Sequence, residues 1–356
     1  MKRIRLFRRR RPNPVVRVAK AASALTTATA AMIAGAAGAW IAYSNRSIPH
    51  KLHLPEAIPA ERDTLESPSA GRISYYFAEE RPGRPLLLVH SVNAAASAYE
   101  MRPLFEHYRL ERPVYAIDLP GYGFSERSER EFSPRTFQYA LIDLLEQRIQ
   151  QPADVVALSL GAEFAALAAQ QRPDLFHSLV LISPSGLGDR GSRASQSMEE
   201  QGLGYVVHEI LSAPLWGRPL FDLIATRRSI QYFLSQSFTG AIPQGFVDYA
   251  YQTSHQPGAE YVPLYFISGR LFTPNVLDRV YATLQTPTLV LYDKDAFVNF
   301  DRLPELLEKN PNWQAQRIQG TRGLPQFEKP DETIQAMDSF WKSLGAGETK
   351  TAGLEA

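Results

Sequence analysis

Ser159 is the residue around which chemistry could be built. It sits where the apolar run Val155-Val156-Ala157-Leu158 meets the alanine-rich stretch Gly161-Ala162-Glu163-Phe164-Ala165-Ala166, with small residues, Ala157 and Gly161, two positions to either side. Small side chains at those places let a buried strand turn sharply into a helix, and a serine on such a turn holds its hydroxyl above the edge of a sheet. The same residues are compatible with an ordinary strand–helix junction capped by serine. A serine hydroxyl also needs a proton acceptor before it attacks anything near neutral pH. Seven histidines are available, His50, His53, His90, His107, His177, His208 and His255. There is no cysteine, which excludes disulfides, thiol nucleophiles and thiolate metal sites. No histidine–carboxylate cluster has metal-ligand spacing, and no cofactor is expected.

The elements that must position Ser159 follow from the hydrophobic pattern. Pro85 to His90 is a continuous apolar run closed by histidine, as expected of a strand buried on both faces. A helix is expected over Ala95–Tyr108, a strand over Val114–Asp118, a helix over Pro134–Arg148, the central strand before Ser159, and a further strand over Leu179–Ile182. Between Ser183 and Pro287 the alternation lapses into helical, aromatic-rich sequence. It resumes with strand Thr288–Tyr292, helix Asp301–Glu308, strand Gln314–Ile318 and helix Asp331–Leu344. Alternating strands and helices predict an α/β fold with a mostly parallel central sheet flanked by helices. The lapse, about residues 186–286, predicts an inserted helical cap. Ligands bind such sheets beyond the carboxyl ends of the strands, where His90, Asp118, Ser159 and Ser183 fall.

Overall charge gives no reason to expect a nucleic-acid partner: 356 residues carry a net +1, with 44% apolar and 21% charged residues. The first twenty residues nevertheless hold nine basic residues and no acid, and residues 21–45 are free of charge. That pattern predicts a single-pass transmembrane helix with its N-terminus cytoplasmic and the folded part on the opposite side of the membrane. Cleavage near Ala37-Gly38-Ala39 to a secreted form, or an organellar transit peptide, are the alternatives. Residues 46–69, with four prolines, read as a linker, residues 70–344 as the folded domain, and residues 345–356 as a disordered tail.

Taken together, the turn after His90, the stretch Asp118-Leu-Pro-Gly-Tyr-Gly-Phe-Ser125, the Ser159 turn, the cap insertion and Gln319-Gly320 through Phe327-Glu328 resemble the α/β-hydrolase superfamily from Gly71 to Leu344. That resemblance implies a serine nucleophile, a carboxylate and a histidine base in chain order Ser, acid, His. It maps the nucleophile to Ser159 and the acid to Asp295, with Asp293 second. The oxyanion donors become the backbone N–H groups of Leu160 and Val92, with His90 supporting their loop.

The base departs from the family's pattern. The family's Gly-x-Gly-His-x-Pro stands here as Gly320-Thr-Arg-Gly-Leu-Pro325, so Gly323 occupies the histidine position, and every histidine precedes Asp295. Ser91 likewise stands where the family has glycine. His208 and His255, in the cap, are the candidates for a substitute base. Arg322 cannot act as one because its guanidinium stays protonated. The sequence therefore leaves two readings: a hydrolase of an ester or related acyl bond in an apolar small molecule or lipid, or an inactive relative that binds a ligand or a membrane partner.

Overall fold

The structure, a computed structural model, describes residues 32–188 and 202–352, with side chains to residue 346. The basic segment 1–20 and most of the Gly/Ser/Arg-rich loop 186–197 lie outside the described residues. The chain divides into two units, up to Ile48 and from Pro49 onward.

In the first unit residues 32–47 are helical. Here the expected membrane span is corrected: among the described residues no helix is long and apolar enough to cross a membrane. The sixteen described helical residues extend about 24 Å, short of a hydrocarbon core of about 30 Å. Alanine and glycine supply little of the apolarity a span needs. Residues 21–31 of the expected span lie outside the described residues. The single-pass topology, the placement of the folded part across a membrane and the membrane as a partner through this helix all lose their support.

The second unit is built on eight strands: β1 Glu61–Ser67, β2 Gly71–Ala78, β3 Leu86–Val89, β4 Val114–Asp118, β5 Ala153–Leu158, β6 Phe176–Ile182, β7 Thr288–Lys294 and β8 Trp313–Arg322. Their order is β1-β2-β4-β3-β5-β6-β7-β8. β2 runs antiparallel to both neighbours, and every other pair is parallel. β1 lies inside the stretch expected to be a linker. Its sequence, Glu-Arg-Asp-Thr-Leu-Glu-Ser, is charged and mostly exposed, as suits an edge strand that must not recruit another chain.

The central strands β3, β4 and β5 are buried throughout. Their side chains alternate faces, as strand geometry requires. Leu87, Val89, Val155 and Ala157 join one core cluster, and Leu86, Leu88, Val156 and Leu158 join the other. Among the described residues of this unit, ten helices of seven or more residues follow in chain order: α1 Arg102–Tyr108, α2 Pro134–Leu144, α3 Gly161–Gln171, α4 Leu203–Leu211, α5 Gly217–Ile224, α6 Arg227–Gln236, α7 Gln244–Ser254, α8 Tyr261–Ile267, α9 Leu303–Lys309 and α10 Pro330–Ala352. α2, α3 and α9 pack on the first face of the sheet, where Phe137 and Phe164 stack at 4.5 Å. α1 and α10 pack on the second. α4 to α8 are the cap between β6 and β7.

Two expected helices differ in extent. The first opens as a 3₁₀ turn, Ala98–Met101, before α1. The last runs on through Gly345 to Ala352, where a disordered tail was expected.

Candidate functional site

Ser159 follows the last residue of β5 with a φ of +53°, a left-handed conformation that costs a non-glycine residue about 1 kcal/mol. It is held there because its N–H donates to Ile182 O at 2.9 Å while its carbonyl accepts from Ala162 N at 3.1 Å. Gly161 permits the turn: a Cβ there would lie 2.5 Å from the His90 carbonyl oxygen. The helix start and the end of β3 therefore touch backbone to backbone.

The same contact positions the loop after β3. His90 is fully buried and fixed at both ring nitrogens. Leu119 N–H donates to Nε2 at 2.9 Å, which leaves the proton on Nδ1, 2.6 Å from Ser91 O. Burial pushes its basicity down to about 3. His90 thus stays neutral and orients a loop. Next to it, Glu100 collects that loop: its Oε2 accepts from Ser91 N–H at 2.8 Å and its Oε1 from Ser91 Oγ and Asn93 Nδ2, each at 3.0 Å. Ser91, where glycine was expected, does not have a positive φ. Its hydroxyl is spent on Glu100. Burial pushes Glu100 up to about 6 despite those donors. The N–H groups of Val92 and Leu160, the expected oxyanion donors, take no acceptor among the described residues.

The two candidate acids separate cleanly. Asp293 is buried under β8, accepting from Arg317 Nε at 2.6 Å, Gly320 N at 2.7 Å and Thr321 N at 3.1 Å. Burial opposes its charge, but these donors hold it below the usual carboxylate range. It fastens a strand. Asp295 is half-buried, its Oδ1 accepting from Phe297 N at 2.7 Å and Val298 N at 3.2 Å. Burial raises its carboxyl above the ordinary value against those two bonds. Ser183 Oγ, buried without a well-formed hydrogen bond, adds a weaker pull the other way. Gly323, at φ +52°, faces this carboxylate: a Cβ on it would lie 2.9 Å from Asp295 Oδ2.

A cavity of about 410 Å³ brings these residues together, lined by Ser159, Val92, Glu100, Asp295, Gly323 and an apolar wall from the cap. Neither His208 nor His255 is among its lining residues. His208 packs its ring on Tyr265 at 3.8 Å, and burial lowers its basicity. His255 lies 2.7 Å from Tyr251 O through Nδ1 and stacks on that tyrosine at 3.9 Å. Asp118 is also absent from the lining. Its carboxylate accepts from Ala98 N at 3.1 Å and Phe124 N at 2.9 Å, so the Asp118–Ser125 motif builds a corner that supports the site from behind. Among the described residues no group of histidines and carboxylates could hold a metal ion.

On the helix that starts at the serine turn, Glu163 is buried and accepts from Ser185 Oγ at 2.5 Å and Thr273 N at 2.8 Å. Burial outweighs both donors and pushes it up to about 7. An unfolded glutamate titrates near 4.3, so the stability it contributes is complete below that pH and is lost as pH rises through 7. Glu163→Gln cannot ionise and escapes this loss. It is expected to gain on the wild type by up to about 3 kcal/mol between pH 5 and pH 8, read from urea unfolding of both proteins. A difference that does not change with pH would show that Glu163 keeps an ordinary titration in the fold.

A mostly parallel sheet with an antiparallel strand near one edge, a helical cap and a serine raised on a strained turn beside two backbone N–H groups without an acceptor among the described residues make up this architecture. The sequence profile of the Alpha/beta hydrolase family matches residues 86–336, and the chain belongs to that family. It is 34% identical over 120 residues to the uncharacterized hydrolase YugF of Bacillus subtilis, covering 32% of this chain and 41% of that protein. It is 28% identical over 116 residues to the 1-acylglycerol-3-phosphate O-acyltransferase ABHD5 of Rattus norvegicus, 32% of each. The chain thus spans less than half the length of these curated relatives. Among solved structures, a probable hydrolytic enzyme of Pseudomonas aeruginosa superposes with a TM-score of 0.65 at 19% identity, covering 82% of this chain and 97% of that one. A membrane phospholipase A superposes at 0.63 and 18% identity, covering 93% and 96%. At these identities the likeness is one of fold.

Proposed function

We propose that this protein is a serine hydrolase acting on an ester or related acyl bond of an apolar small molecule or lipid. Ser159 is its nucleophile, the N–H groups of Leu160 and Val92 its oxyanion donors, and Asp295 the carboxylate that steadies the base. The observation that carries this reading is that Ser159, Val92 and Asp295 open onto one cavity whose cap side is apolar, with Ile224, Ile230, Phe233, Phe246 and Phe266 among its lining. A carbonyl group seated over Ser159 would leave its substituent against that wall, where burial of each CH₂ contributes about 0.8 kcal/mol. The acyltransferase name of the rat relative is in keeping with acyl chemistry on this scaffold.

A second reading, a ligand-binding member of the family without catalysis, is favoured by Gly323 at the position of the base. Loss of a general base costs about 10²–10⁴-fold in rate. The full-length chain treated with a fluorophosphonate probe is therefore expected to label slowly, and Ser159→Ala is expected not to label at all. Absence of labelling in folded wild-type protein would discard the hydrolase and leave the binding module.

A further inference from the structure

The cavity is electrostatically one-sided. Asp295 and Glu100 both line it, and among the described residues no lysine, arginine or histidine does. Glu100 is satisfied by Ser91 and Asn93. Asp295 is held at Oδ1 by the two backbone N–H groups of its own loop, while Oδ2 is turned toward Gly323. Ser237 is a neighbour of the same position, its Cβ 3.6 Å from where a Cβ on the glycine would be. Asp295, Ser237 and Gly323 all line the cavity, so this carboxylate borders open volume next to a glycine and a small polar residue, in a cavity whose other walls are mostly apolar. Carboxylates removed from water favour a cationic or strongly hydrogen-bonding partner.

We propose that the space beside Asp295 and Gly323 is a binding site for a small nitrogen base, an imidazole or amine group carried by the ligand, with the apolar part of that ligand lying along the cap. The site holds the base between a carboxylate and a serine without supplying one from the chain. Its consequence for chemistry rests on the hydrolase reading. The bound base's free nitrogen takes the Ser159 hydroxyl proton as Oγ bonds to the acyl carbon, and the carbonyl electron pair moves to the oxygen facing Val92 and Leu160. When that electron pair re-forms the carbonyl and the bond from the acyl carbon to the alkoxide oxygen breaks, the resulting cation gives its proton to the departing alkoxide. Water deprotonated by the same base then releases the acid from Ser159 Oγ. A nitrogen base free of the chain can settle at its own distance from Asp295. A side chain at position 323 cannot, because its Cβ would already be 2.9 Å from Oδ2.

The test uses the full chain with imidazole and 4-phenylimidazole, and benzyl alcohol as a nitrogen-free control. Binding is followed by ligand-observed NMR and Ser159 reactivity by fluorophosphonate labelling in the same samples. Saturable binding is expected for both imidazoles, tighter for 4-phenylimidazole, and weakened at least about tenfold in Asp295→Asn, the scale of a charge-assisted bond in a site partly closed to water. Asparagine keeps Oδ1 for Phe297 and Val298. Should that variant still misfold, Ser237→Phe fills the same space and is expected to exclude both ligands. Binding that is not saturable, or that is equal in wild type, Asp295→Asn and Ser237→Phe, overturns the site. A saturable rise in labelling that follows binding supports the site and the hydrolase together. Asp295-dependent binding with no rise in labelling keeps the site and removes the hydrolase.

Discussion

Gly161→Ala is expected to destabilise the folded domain by about 3 kcal/mol, the upper end for forcing a methyl group into a packed interior. It is also expected to suppress whatever reactivity Ser159 has. The added Cβ would lie 2.5 Å from the His90 carbonyl oxygen and 3.4 Å from its carbon, and this neighbour is backbone, so no rotamer change relieves it. Nor can the loop simply move. The His90 ring is tied to Leu119 N and Ser91 O, and Ser91 is tied to Glu100. Either α3 shifts and takes Leu160 N–H with it, or the loop shifts and takes Val92 N–H. Both routes separate the two N–H groups proposed as oxyanion donors. Urea unfolding followed by circular dichroism reads the first effect, and fluorophosphonate labelling of the residual folded protein reads the second. A loss under about 1 kcal/mol, or labelling at the wild-type rate, would mean that this backbone contact is softer than the packing implies.

The contact also explains why the turn at Ser159 is legible in the sequence. Two small residues around a serine state a steric requirement, and the structure meets it at Gly161. The buried strands announce themselves because a strand covered on both faces has no polar positions to interrupt it. β1 does not, since an edge strand facing water carries the charges of a linker. The carboxylate proposed as the acid is placed by its position after β7, although Asp293 and Asp295 lie in one short run. Only the third dimension shows that Asp293 is spent on Arg317 and β8 while Asp295 faces the cavity.

Glu100 was not legible. A glutamate in Ala98-Tyr-Glu-Met101 looks like a solvated residue, and nothing local reveals that a 3₁₀ turn delivers it beneath Ser91 and Asn93. A signal was available in Ser91: a residue with a hydroxyl where glycine is usual asks for a buried acceptor. His208 and His255 are candidates by residue type and by their place in the cap. Their rings find tyrosines in the cap instead.

The remaining question is whether the chain lacks only an imidazole, and the geometry answers it in advance. Gly323→His is expected to lower stability by about 2 kcal/mol and to leave fluorophosphonate labelling within about threefold of wild type. Position 323 has a φ of +52°, which costs any L side chain about 1–2 kcal/mol. The new Cβ would press on Asp295 Oδ2 at 2.9 Å. That carboxylate can turn away only by giving up Phe297 N–H and Val298 N–H at Oδ1, the bonds that aim it at the cavity. The histidine would therefore arrive while its carboxylate partner departs, and a base whose orienting acid is displaced recovers little. A labelling rate raised more than about tenfold, with stability unchanged, would show instead that the loop after β7 yields at little cost. Free imidazole would then be the poorer route to the same chemistry.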